Sequence, residues 1–295
     1  MRAGIPPIPI IERLSTVADR YDAFILDLWG VLHDGVRPYP GVVDALGQLK
    51  RRSKRLVVLS NAPRRAAPVG HRMQEIGIAA DLYDVLHSSG EETWRLLKER
   101  TDPIFAGLGW RFLPLMPKRD RSLIEGLDLD MVETASAAEF VLVTGLDDAG
   151  ETVADYEGTL LAAARLGRPM VCANPDLEVI RDGIRELCAG ALAVRYEALG
   201  GTVHYVGKPQ PAVYRRCFAY LAGIASARIL AVGDSLRTDV AGAEGVGIDS
   251  LLVTGGIHAA ELAGAGGLQP DPARLAAACA DAGRRPTYAI PGFVW

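Results

Sequence analysis

Short apolar runs that end in Asp, Ser, Asn or Gly recur along the chain. Seven stand out: AFILD (23–27), RLVVLSN (55–61), EFVLVTG (139–145), RPMVCAN (168–174), VHYVG (203–207), RILAVGD (228–234) and DSLLVTG (249–255). They are strand-sized and mostly unbroken by polar alternation, the pattern of strands buried on both faces. Between them the spacing turns helical. Pro40 to Arg51 sets Val42, Val43, Ala45, Leu46 and Leu49 near helical spacing. Gly158 to Leu166 is rich in Ala and Leu and stops at Gly167, and Pro211 to Leu221 is closed by Gly223. Strands alternating with helices predict an α/β fold, a doubly wound parallel sheet with helices on both faces. Ligands of such sheets bind beyond the carboxyl ends of the strands, so the chemistry is sought in the residues that follow each apolar run.

Four such places form a set. Asp27 closes the first run, where a carboxylate serves as a nucleophile, a metal ligand or a turn cap. Ser60 and Asn61 close the second and offer hydrogen-bond donors suited to a phosphate oxygen. Lys208 follows a strand in Gly207-Lys208-Pro209, with Pro209 and Pro211 suited to the first turn of the next helix. A cation at a helix N-terminus opposes the macrodipole, which points to an anionic partner shared with the helix N–H groups. Lysine is also scarce here, five against 27 arginines. Asp234 and Asp239 stand at a further strand end, where paired carboxylates hold a hard cation directly or orient its shell.

Composition narrows the setting. At about 150 residues per domain, 295 residues predict two domains. The formal charge of −4 disfavours general binding to nucleic acid or an anionic membrane. Cys172, Cys188, Cys217 and Cys279 form no Cys-x-x-Cys pair, so neither a zinc site nor a disulfide framework is expected. The N-terminal stretch has no long apolar core and no run reaches a membrane span, so a cytoplasmic setting is expected. Walker spacing fails, because Gly201 lies one residue too far from Gly207 and Pro209 stands where Ser or Thr is needed. No Gly-x-Gly-x-x-Gly follows the first strand and no His-Glu-x-x-His occurs. The cationic run from Lys50 to Arg55 reads as a solvated helix end, and Tyr288, Phe293 and Trp295 as a tail strand packed on the core.

Taken in order, Asp27 in FILDLWGVLHDG, Ser60 in LVVLSNAPR, Lys208 in VGKPQPAVY and Asp234 with Asp239 in VGDSLRTDVAGA resemble the haloacid dehalogenase (HAD) superfamily of phosphotransferases. The match looks closest to subclass IIA, which carries a large α/β cap between the second and third motifs. PGVVDAL, Asn174-Pro175-Asp176 and the long Ser60-to-Lys208 interval support it. The resemblance implies a Rossmann-like core from 1–88 and 203–295 with a smaller α/β cap at 89–202. It also implies an aspartyl-phosphate formed on Asp27 and Mg²⁺ held by Asp27, the Trp29 backbone carbonyl and Asp234. Asp239 would lie in the outer shell of the metal or orient Lys208. Lys208 and Ser60, with Asn61, would take the phosphate, and Asn174 and Asp176 would face the leaving group of a small phosphorylated metabolite. A cap-mediated homodimer is the assembly the subclass suggests.

The resemblance breaks at one position. The superfamily's phosphatases carry a second Asp two residues after the nucleophile, to protonate the leaving oxygen and activate water; here that residue is Trp29. Indole is only a donor. General acid–base help contributes about 10²–10⁴-fold, so a replacement is sought. His33 and Asp34 are close in sequence and Asp176 is a further candidate, while His33-Asp34-Gly35 also reads as a plain turn. Trp29 itself suits stacking on an aromatic ligand or filling the lost carboxylate's space. Two function classes stay open: an attenuated phosphohydrolase or phosphotransferase, and a non-catalytic protein that binds a phosphorylated ligand.

Overall fold

Each of the seven apolar runs forms a strand in the computed structural model, which describes residues 7–118, 120–148, 150–264 and 269–295. The first six residues of the N-terminal stretch lie outside these. Three strands, β1 (Ala23–Leu26), β2 (Arg55–Ser60) and β3 (Val85–Ser88), precede a long insert. The insert carries β4 (Arg111–Leu115), β5 (Asp130–Met131), β6 (Phe140–Val143) and β7 (Met170–Cys172). A hairpin of β8 (Glu178–Arg181) and β9 (Ile184–Leu187) follows, and then β10 (Val203–Tyr205). The strands β11 (Ile229–Gly233), β12 (Asp249–Val253) and β13 (Tyr288–Ile290) complete the chain.

The larger sheet runs β13-β12-β11-β1-β2-β3 and every pair in it is parallel. Order reverses beside β1, which therefore lies at a topological switch point, the place where such sheets bind ligands. Alternation along β1 shows the double cover. Phe24 and Leu26 pack with Leu46, Leu49 and Met73, whereas Ala23 and Ile25 pack with Val213, Tyr214 and Cys217 from the opposite layer. The smaller sheet, β10-β7-β6-β4-β5, is also parallel. It too is covered on both faces, by Leu192 and Tyr196 on one side and Leu97 and Phe105 on the other.

The sequence boundary at 202/203 needs a correction. β10 pairs with β7 in register Val203–Met170 to Tyr205–Cys172, so it belongs to the smaller sheet and the chain re-enters the core after Tyr205. Its short apolar run looks like any core strand; only the pairing partner distinguishes it. Another local expectation shifts as well. Pro211 opens the helix Pro211–Tyr220, while Pro209 lies ahead of it.

Peripheral features settle as expected. The tail enters the sheet edge as β13, Phe293 is buried, and the N-terminal segment covers that edge through Ile11 N–H to Ala289 O (2.8 Å) and Ala289 N–H to Pro9 O (2.9 Å). The cationic run ends a helix: Lys50 pairs with Asp84 at 2.6 Å and Arg52 lies over Trp295. All four cysteines are free and buried. Among the described residues no helix is long and apolar enough to cross a membrane.

Candidate active site

Asp27 follows β1 directly, its backbone N–H held by Val232 O at 2.8 Å on the neighbouring strand. Asp234 follows β11 and so arrives at the same sheet end. Asp239 lies in the helical turn Leu236–Val240, which starts where Ser235 caps Thr238 N–H. The three carboxylates are buried, with one oxygen of each within 4.8 Å of the others. Lys208, 2% exposed, inserts its ammonium among them; Nζ donates to Asp27 Oδ1 and, at 2.6 Å, to Asp239 Oδ1. Asp239 Oδ2 takes Ser235 N–H at 3.1 Å, so both its oxygens are engaged and it orients Lys208.

The electrostatics are unbalanced in the direction of cation binding. Three buried carboxylates face one ammonium. Burial pushes the Asp27 carboxyl up to about 8 despite the pull of Lys208, and burial with Asp27 and Asp239 nearby pushes Asp234 well above the carboxylate range. The same field, against the cost of burial, holds the Lys208 ammonium charged well above its ordinary range. The Trp29 carbonyl accepts no hydrogen bond among the described residues. An all-oxygen set of buried carboxylates fits a small hard dication.

Close approach explains two glycines here. At Gly30 φ is +75° and a Cβ would lie 1.8 Å from Asp234 Oδ2, so only glycine lets the turn after Asp27 pass the carboxylate. Gly256 is similarly tight against Asp234, and the following Ile257 N–H donates to Asp234 Oδ2 at 2.7 Å. Sequence reading missed this contact, although Gly255-Gly256, one residue beyond the end of β12, is a usable signal.

Other expected residues take more specific places. The Ser60 hydroxyl accepts Ala62 N–H at 3.1 Å, leaving its own proton to donate. Asn61 departs from the expected phosphate contact, because its amide is fully engaged. Oδ1 accepts Lys208 N–H (2.7 Å), and Nδ2 donates to Asp176 Oδ1 (2.9 Å) and Lys208 O (3.2 Å). It braces Lys208 against the Asp176 loop. Asn174 turns that loop, its Oδ1 accepting Asp176 N–H at 3.0 Å.

Asp34 departs from the acid/base expectation. Its Oδ1 caps Val36 and Arg37 N–H, both at 2.8 Å, and Oδ2 pairs with Arg37, so it is a turn residue. His33 is buried and its Nδ1 accepts Gly35 N–H at 2.8 Å; burial, with Arg72 and Arg181 nearby, lowers it to about 4 and keeps it neutral. Trp29 is half-buried, edge-on to His33 at 4.9 Å, with the Arg181 guanidinium 4.8 Å from its ring centroid.

Arg181 comes from the β8–β9 hairpin, a unit sequence reading passed over. The signal was present: Asp182-Gly183 between EVIR and IREL is a two-residue hairpin turn, with φ of 46° and 79°. Asp182 pairs with Arg37 at 3.0 Å, tying the hairpin to the core turn beside Trp29. Two clefts meet there. One, about 200 Å³, is lined by Asp27, Asp234 and Gly256; the other, about 380 Å³, by Met116, Leu146, Arg121 and Cys188. Trp29, Asp176 and Val179 line both.

Comparison with known proteins places this arrangement. The family model "Haloacid dehalogenase-like hydrolase" matches residues 24–129 and a second HAD-hydrolase-like model matches 205–282. The chain is 28% identical over 261 residues to D-glycerol 3-phosphate phosphatase of Mycobacterium tuberculosis, covering 84% of this chain and 67% of that one. It is 30% identical over 264 residues to chronophin of Bos taurus, covering 84% and 86%. The crystal structure of a haloacid dehalogenase-like hydrolase from Brucella suis superposes with a TM-score of 0.82 at 33% identity, covering 96% of this chain and all of that one. With its insert lying between the Ser60 and Lys208 strand ends, the chain belongs to the haloacid dehalogenase-like hydrolases, in the arrangement of their subclass IIA.

Proposed function

We propose that the chain is a Mg²⁺-dependent phosphohydrolase of small phosphate monoesters, with Asp27 as nucleophile and the insert as a cap over the site. The observation that carries this reading is the cluster of Asp27, Asp234 and Asp239 around Lys208 at the carboxyl end of β1, opening on the cleft. Asp27, Asp234 and the Trp29 carbonyl would hold the ion, which supplies charge neutralisation for the phosphoryl group and lowers the Asp27 pKa. Phosphoryl transfer is mainly positioning and charge stabilisation, and the chain supplies both. Lys208, held by Asp239, faces the transferred group, and the free Ser60 proton adds a neutral donor. Asp27 attacks phosphorus to give an aspartyl-phosphate, which water then cleaves. Closure of the insert, with its β8–β9 hairpin, over the cleft excludes bulk water.

The non-catalytic reading requires a site with no titratable group left to replace the missing carboxylate. Asp176 weighs against it, since it lines the Asp27 cleft. A relative named as a D-glycerol 3-phosphate phosphatase supports a small polyol or metabolite ester as substrate. The test is Mg²⁺-dependent phosphate release from a panel of aryl and alkyl phosphates, with Asp27→Asn as the blank. Release from the wild type and none from the variant is expected. Full release from the variant, or none from either protein, removes the proposal.

A further inference from the structure

We propose that Asp176, carried on the insert, is the proton donor and acceptor of this site. The inference rests on the phosphohydrolase reading and deepens it.

Expelling an alkyl oxygen requires a proton, and cleaving the aspartyl-phosphate requires a base for water. Position 29 can do neither, and Asp34 is consumed by its turn. His33 reaches only the larger cleft and spends Nδ1 on Gly35 N–H. Asp176 is the one carboxylate among the described residues that lines both clefts. A phosphate on Asp27 in the smaller cleft, with its organic group in the larger, sets the bridging oxygen at their junction, where Asp176 stands.

The carboxylate is also positioned. Oδ1 accepts from Asn61 Nδ2 at 2.9 Å, and Oδ2 has no partner among the described residues, leaving it to carry the proton. Its loop is pinned from three sides. Asn174 Oδ1 takes its N–H, Gly190 N–H donates to its carbonyl at 3.0 Å, and the Arg237 guanidinium donates to Pro175 O. Arg237 belongs to the core turn that carries Asp239, so the core itself seats the loop. Burial raises the Asp176 carboxyl, which favours the protonated form needed at the start.

Protons balance through the cycle. As an Asp27 oxygen bonds to phosphorus and the P–O bond to the organic group breaks, Asp176 gives its proton to the departing oxygen. The Asp176 carboxylate then takes a proton from water as that water attacks phosphorus. The bond from phosphorus to Asp27 breaks, and inorganic phosphate, the Asp27 carboxylate and protonated Asp176 remain.

The experiment compares wild type, Asp176→Asn and Asp176→Glu on 4-nitrophenyl phosphate and glycerol 3-phosphate, with circular dichroism to establish folding. For Asp176→Asn, turnover of the alkyl ester should fall about 10²–10⁴-fold. With the aryl ester the variant should release one equivalent of nitrophenolate in a burst and then stall, because its leaving group needs little acid but water still needs a base. Asp176→Glu should recover part of the alkyl turnover. Equal losses on both esters without a burst would make Asp176 a positioning residue and overturn the proposal, as would an unchanged Asp176→Asn. A wild type that is inactive on both esters would overturn the phosphohydrolase reading and this inference together. An active wild type with an unaffected variant overturns this inference alone.

Discussion

A neutral imidazole built into the wall of the cleft gives the protein a pH signature. His33 sits at about 4 in the fold, against about 6.5 for a free histidine, chiefly through burial. The sign follows from proton counts. Between these values the unfolded chain binds a proton that the native state does not, so stability is full above about 6.5 and falls as the pH drops toward 4. From pH 7 to pH 5 the contribution is about 2 kcal/mol. Urea unfolding at both values should show wild type losing that much more than His33→Gln; equal losses would remove His33 as the cause. Lys208 is held by pairing: its buried ammonium meets Asp27 and Asp239, and deleting one member of such a set costs about 3–5 kcal/mol.

At the scale of elements, the helix Ala189–Ala198 meets the Asp176 loop with no side chain between them. A Cβ on Gly190 would stand 2.4 Å from Pro175 O and 2.5 Å from Asp176 O. Gly190→Ala must therefore push the loop away, with an overpacking cost of about 1–3 kcal/mol, and it should lower phosphate release even where the protein stays folded. Gly158 is the contrast. It lies near the start of the helix Glu157–Arg165 with nothing within 4 Å of a Cβ. Gly158→Ala should stabilise by about 0.4–1 kcal/mol and leave activity alone. Thermal melts with activity assays on both variants check the pair; like behaviour would contradict the packing argument.

For the whole molecule, the issue is how two sheets hold one cleft. The chain leaves the core at Ser88–Ser89 and returns after Tyr205, and these crossings are tied at one point. The Ser89 hydroxyl reaches both Ala173 O, at the start of the Asp176 loop, and Val206 O, just before Lys208. It has one proton to share between them. Ser89→Ala leaves both buried carbonyls without it, at a cost of about 1–3 kcal/mol, and loosens the insert relative to Lys208. The expected result is a lower unfolding midpoint together with a reduced kcat/KM; an unchanged kcat/KM would mean that other contacts set the position of the insert.

Much of this protein was written locally. Strand runs, their polar terminal residues and the order Asp27, Ser60, Lys208, Asp234 could be read directly, because burial of a strand demands an unbroken apolar run and its end must turn polar to reach solvent or ligand. The tail strand, the solvated cationic helix end and the free cysteines were legible for the same reason. What only the tertiary structure decided depends on partners far away in sequence. Lys208 meets Asp27 across 181 residues and Asn61 meets Asp176 across 115. β10 looks like a core strand until its pairing with β7 assigns it to the insert. Asp34 and Asp176 are equally plausible as letters; a turn consumes one and a junction of clefts exposes the other. Periodicity records which face a residue buries, but not which residue of another element stands opposite, and the chemistry of this cleft lies in those pairings.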